Sequence, residues 1–143
     1  SNCEDALDKV RRREAASGGK RKSEALSNTK YIWLKNEENL TDKQRKRLEE
    51  LLQVEYLDTV KAYDMKLKLQ DFYSRHKDYD EKTIFDFENM ALDFCNSTMK
   101  EMQKFGEMLV RNAVEILNYF DTKRTNAILE CVYSKIKRKS DHD

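Results

Sequence analysis

Thr41-Asp42-Lys43-Gln44-Arg45-Lys46-Arg47-Leu48-Glu49-Glu50-Leu51-Leu52 opens as a helix start and continues as a helix. The Thr41 hydroxyl is placed to accept from the Gln44 amide, and the Gln44 side chain to reach back, so the four residues form a capping box. Leu48, Leu51 and Leu52 then recur on one helix face. The same period runs through Tyr56, Leu57, Val60, Tyr63, Leu67 and Leu69 to Tyr73, with or without a bend near Val54. Nothing in this stretch alternates as a half-buried strand does.

Outward from it the pattern stays helical. Residues 4–16 predict a short helix with Ala6, Leu7 and Val10 on one side and Arg11, Arg12 and Arg13 toward its end, where cations complement the helix dipole. Ser17-Gly18-Gly19 breaks it, and residues 20–27 read as a flexible, basic connector. Tyr31-Ile32-Trp33-Leu34 is the densest apolar patch. Residues 75–79 read as a polar turn, after which Asp80 or Thr83 caps a third long helix carrying Ile84, Phe85, Phe87, Met90, Ala91, Leu92 and Phe94. Asn96-Ser97-Thr98 marks a break before a fourth, from Met99 through Phe105 and Leu109 to Leu117. Residues 119–123 form a connector, and Thr125 or Asn126 caps a last helix with Leu129, Val132 and Ile136 as its buried stripe. The expected fold is all-α, with about five helices. The expected organisation is an N-terminal helix and connector over 1–27, a helical insertion over 28–118, and a connector and helix over 119–143.

Composition agrees. The 143 residues contain 38% charged and 38% hydrophobic residues, only 3 Gly and no Pro, which disfavours a turn-rich β fold. Mean hydropathy is −0.94, fitting paired helices with solvated outer faces. Lys and Arg number 28 against 27 Asp and Glu, a net charge of +1, so the body as a whole is not a basic clamp, although local patches remain open. The longest apolar run is far short of the roughly 20 residues that span a bilayer, and no charged-then-apolar leader opens the chain. Cys3, Cys95 and Cys131 are odd in number and widely spaced, which points away from a disulfide framework and toward the cytoplasm. With His76 and His142 the only histidines, a zinc site lacks ligands. No phosphate loop, nucleophile elbow or His-Glu-x-x-His is present.

The C-terminal stretch is more specific. Ile116-Leu117-Asn118-Tyr119-Phe120-Asp121-Thr122-Lys123-Arg124-Thr125-Asn126-Ala127-Ile128-Leu129-Glu130, followed by Ser134-Lys135-Ile136-Lys137, closely resembles the C-terminal signature of bacterial insertion-sequence DDE transposases of the IS-L-three group. Leu34-Lys35-Asn36 with Glu38-Asn39-Leu40-Thr41 and the helix after it resembles a second family region. Ala6-Leu7-Asp8-Lys9-Val10-Arg11-Arg12 resembles the segment soon after the family's second catalytic aspartate. The three lie in family order across nearly the whole chain.

The resemblance implies an RNase H-like catalytic core, in which two strand aspartates and one helix glutamate hold two divalent metals, Mg²⁺ or Mn²⁺, for phosphoryl transfer on DNA. By position Glu130 matches the third acid and is both catalytic and metal-binding under this resemblance. The matching motif makes Arg124, Asn126, Ser134, Lys135 and Lys137 DNA-contacting. The first two aspartates are expected before Ser1, so the chain alone is expected to be catalytically silent. The implied partners are insertion-sequence ends and further copies of the transposase, with no membrane. Cys131 stands where the family usually has Gly, Tyr133 where it has Asn, and Glu37 where it tends to have Pro. Further candidate phosphate contacts are Arg11 to Arg13, Lys20 to Lys22, Lys43 with Arg45 to Arg47, and Lys135 to Lys139. Tyr31, Trp33, Tyr63, Phe85, Phe87, Phe94 and Phe105 read as core. From the residues alone, a non-catalytic helical module that pairs with another protein remains the alternative.

Overall fold

A computed structural model describes residues 2–76, 80–117, 130, 134 and 135, and no strand occurs among them. The elements are α1 (Asn2–Ser17), α2 (Lys20–Leu26), α3 (Lys30–Leu34), a 3₁₀ turn (Glu37–Asn39), α4 (Asp42–Leu52), α5 (Asp58–Arg75), α6 (Glu81–Cys95), α7 (Lys100–Arg111) and α8 (Ala113–Leu117). The all-α class holds. Four of the five expected helices fall within the described elements, and they become eight because two are subdivided and two short helices were not read.

Capping chemistry sets the firmest boundaries. At α4 the Thr41 hydroxyl accepts from the Gln44 N–H at 3.1 Å, and Gln44 Oε1 accepts from the Thr41 N–H at 3.0 Å. Asp80 caps α6 in the same way: its carboxylate accepts from the Thr83 N–H at 2.9 Å, while the Thr83 hydroxyl accepts from the Asp80 N–H at 3.2 Å. The Thr83 bonds hold the Asp80 carboxyl below its ordinary range. The bend near Val54 is a full break, residues 53–57, between α4 and α5. The fourth long helix is interrupted at Asn112, whose N–H returns to Met108 O at 3.0 Å.

Helix α2 corrects the flexible connector expected from Lys20 onward. Gly19 sits at φ 93°, a backbone state that side chains resist, and lets the chain turn once and re-enter a helix. Leu26 is its one fully buried residue, so no amphipathic stripe announced it. Tertiary bonds hold its end: Arg47 donates to Ala25 O at 3.2 Å, and Arg11 to Leu26 O at 3.4 Å.

The chain divides into two compact units, Ser1–Leu67 and Lys68–Asp143. The first has its core around Leu7, Val10, Leu26, Trp33, Leu48, Leu51 and Leu57, all within 2% of complete burial. The Trp33 indole N–H donates to the Thr29 hydroxyl at 3.0 Å, which donates onward to Leu26 O at 2.6 Å. Trp33 meets Tyr63 edge-on, with ring centroids 5.6 Å apart. Lys66 is buried at 2% exposure, and its ammonium donates to Trp33 O, Leu34 O and Lys35 O at 2.9, 3.2 and 3.4 Å. A lysine distant in sequence thereby satisfies carbonyls that the end of α3 leaves open. Burial lowers its pKa, against the opposing pull of Glu4 and Cys3.

The second unit packs α6 on α7 across residues 96–99. Phe94 meets Phe105 with centroids 4.9 Å apart, and Phe72 of α5 meets Phe87 at 6.0 Å. Gly106 allows the closest approach: a Cβ there stands 2.6 Å from the Cys95 backbone nitrogen. Two of the expected core aromatics lie outside the cores, Tyr31 at 58% and Phe85 at 61% exposure.

Candidate functional site

Glu130, Ser134 and Lys135 are each helical and exposed. Lys135 Nζ is 3.2 Å from Glu88 Oε1 on α6, and Lys135 O accepts from the Asn96 side-chain amide at 3.4 Å. These contacts hold Lys135 against Glu88 of α6 and against Asn96, just beyond its end, within the second unit. Arg124, Asn126 and Lys137 lie outside the described residues, as do the expected capping residues and apolar stripe of the last helix.

The basic clusters separate into structural and exposed members. Arg11 pairs with Asp8 at 2.9 Å, Arg12 with the same carboxylate at 3.2 Å, and Arg13 with Asp58 at 3.3 Å. Of the triplet, Arg11 is half-buried and serves the fold, whereas Arg12 and Arg13 are exposed as well as paired. Lys22 pairs with buried Glu14 at 3.2 Å and lies 5.7 Å from the centre of the Tyr56 ring, whereas Lys20 and Arg21 are exposed. Arg45 pairs with Asp42 and donates to Glu37 O and Leu40 O, tying the 3₁₀ turn to α4. Arg47 pairs with Glu50 at 3.2 Å while holding the end of α2. Lys43 and Lys46 are exposed, and neither side chain has an ion pair or hydrogen bond among the described residues.

Lys43 and Lys46 border a groove of about 500 Å³ in the first unit. One wall is the first three turns of α4, contributing Lys43, Lys46, Arg47 and Glu50; the other is the turn between α2 and α3, contributing Asn28 and Thr29. Asn28 has φ 61°, alone among the described non-glycine residues in being positive. Asparagine tolerates that state better than most side chains. The sequence named the lysines but not the opposite wall. Its only signal was the polar trio Ser27-Asn28-Thr29 between apolar Leu26 and Tyr31.

No group of three or more His, Cys, Asp or Glu side chains among the described residues is placed to hold a metal ion. Glu130 offers a single carboxylate, and two hard cations need several. The described donor set therefore does not fit a two-metal centre by itself. No described helix is long and apolar enough to cross a membrane.

The model of a transposase family, the DDE type of the IS-L-three group, matches residues 2–141. No curated protein and no solved structure is matched.

Proposed function

The chain belongs to the DDE transposase family of the IS-L-three group, and we propose that it serves the cutting and joining of insertion-sequence ends by supplying a helical body and one essential acid, Glu130. The observation that carries this reading is the family match across residues 2–141, which spans all three motifs legible in the sequence. The exposure of Glu130 supports it, since an acid that meets metal and DNA cannot be packed against its own core. Lys135, five positions on, is paired with Glu88 of α6.

In this reading Glu130 is one ligand of a divalent-metal centre, Mg²⁺ or Mn²⁺, whose remaining carboxylates are not among the described residues. Arg124, Asn126, Ser134, Lys135 and Lys137 contact DNA near it, and further copies of the transposase join the complex that brings two ends together. The family match favours this over a helical interaction module without catalytic descent.

The test is made in the transposase that carries this chain. Glu130→Gln removes the charge without removing volume. Strand cleavage in Mg²⁺ is expected to disappear while binding to the insertion-sequence ends persists, because losing one carboxylate disables a two-metal phosphoryl transfer. Glu101→Gln and Glu107→Gln, on α7, are expected to cleave normally. Cleavage by Glu130→Gln at the unmodified rate sinks the assignment.

A further inference from the structure

We propose that the groove between the Asn28 turn and α4 seats backbone phosphates of duplex DNA on Lys43 and Lys46, through residues none of which belongs to the acid-bearing segment. The inference rests on the DNA-acting reading above and adds to it a second contact surface.

Charge is the first argument. Three cations and one acid line the groove, and the acid, Glu50, is already paired with Arg47 at 3.2 Å. Lys43 and Lys46 are thus left uncompensated. They lie three residues apart, which puts both ammonium groups on one side of α4.

Placement is the second. Lys43 is in the first turn of α4, the end of a helix where the dipole favours anions and disfavours cations. An uncompensated lysine there weakens the helix and is relieved by a phosphate. The amides of a helix start attract the same anion. The neighbouring arginines are fixed by carbonyls of Ala25, Glu37 and Leu40, so the groove wall is rigid while the two lysines stay exposed.

Backbone geometry is the third. Asn28 holds a left-handed conformation on the opposite wall, a strained state that tends to collect at binding sites. Its exposed side chain brings amide donors to the same groove. A surface groove with lysines along one helix suits a strand of negative charge running past it, and duplex DNA is the polyanion that the proposed function brings to the chain.

The experiment is fluorescence anisotropy of the full chain with a labelled random-sequence duplex, from about 50 to 200 mM salt. Each phosphate contact contributes about 0.9 to the slope of log affinity against log salt. Lys43→Gln/Lys46→Gln is expected to flatten that slope by about 2, and Lys46→Gln alone by about 1. Lys43→Arg/Lys46→Arg should keep the slope, as should Lys100→Gln/Lys104→Gln on α7, with circular dichroism confirming equal helicity throughout. An unchanged slope in both glutamine variants overturns the groove and leaves the transposase reading standing. No binding by the unmodified chain at any salt overturns the groove site, while Glu130 remains to be judged by cleavage. Binding of inorganic phosphate at the Asn28 and Lys46 amides that does not compete with the duplex also overturns the proposal.

Discussion

Glu14 caps a helix to which it is not joined: its Oε1 accepts from the Thr59 N–H at 2.9 Å and from the Thr59 hydroxyl at 2.8 Å. Oε2 takes the Asp58 N–H at 2.7 Å and meets Lys22 at 3.2 Å. The residue before α5 is Leu57, which has no side-chain acceptor to cap it, so the amides of Asp58 and Thr59 depend on this carboxylate from α1. Glu14 is 2% exposed, and each of its oxygens is satisfied by donors.

Glu14→Ala should therefore destabilise the chain by about 2–3 kcal/mol, the range for hydrogen bonds to a charged partner whose loss strands buried donors. Glu14→Gln, which keeps one acceptor, should lose less. Urea denaturation followed by circular dichroism measures both. An alanine variant as stable as the unmodified chain rules out the cap.

The same carboxylate gives the chain an acid-sensitive component. Burial pushes the Glu14 pKa up, but the bonds from Thr59 and Asp58, with Lys22, outweigh it and hold the group below its ordinary 4.5. A carboxyl depressed on folding contributes stability that is present above 4.5 and is lost as pH falls through the lower folded value. The melting temperature should accordingly fall below pH 4.5 more steeply in the unmodified chain than in Glu14→Gln. Parallel curves for the two proteins contradict this.

Gly106→Ala sets two effects against each other. Alanine improves helix propensity by about 1 kcal/mol. The added Cβ, however, stands 2.6 Å from the Cys95 nitrogen, 2.8 Å from Phe94 Cβ and 2.9 Å from Cys95 Sγ. Backbone cannot move aside as a side-chain tip does, so overpacking of about 1–3 kcal/mol should win. A thermal melt higher than that of the unmodified chain refutes the close approach.

Cys3 and Cys95 should be nearly inert. Burial, with Glu4 adding to it, pushes the Cys3 thiol up to about 12, and burial with Glu107 raises Cys95 to about 11. The thiolate is the reacting form, so at pH 8 little of either is available. Peptide-level mass spectrometry after brief iodoacetamide treatment should find both unmodified in the native chain and both modified in urea. Rapid native labelling of Cys3 contradicts its burial in α1.

The α class, the Thr41 capping box, a cap at Asp80 or Thr83 and the break near Asn96 were legible because each is written locally, in a capping residue or an interrupted period. The break at Val54 was not, because the apolar period runs through it. Helices α2 and α3 were not, since their ends are set by side chains far along the chain: Arg47 and Arg11 for one, Lys66 for the other. Lys43 and Lys46 stood in a basic run whose members look alike in sequence. Only the partners of Arg45 and Arg47 distinguish the structural cations from the exposed ones. Glu130 was visible through the family motif, and no local physical rule singles it out.

Lys66 also bears on how the first unit comes into being. Helix α3 has five residues, too few for a helix to persist alone in water. Its carbonyls are closed by a lysine 33 positions beyond Trp33, and α5 begins on an acid 45 positions before Thr59. Short helices of this kind cannot nucleate folding; they order only after those long loops close. Their amides should exchange with solvent hydrogen together, through the same opening that releases Lys66, and the unit should fold more slowly than a simple up-and-down bundle of its size.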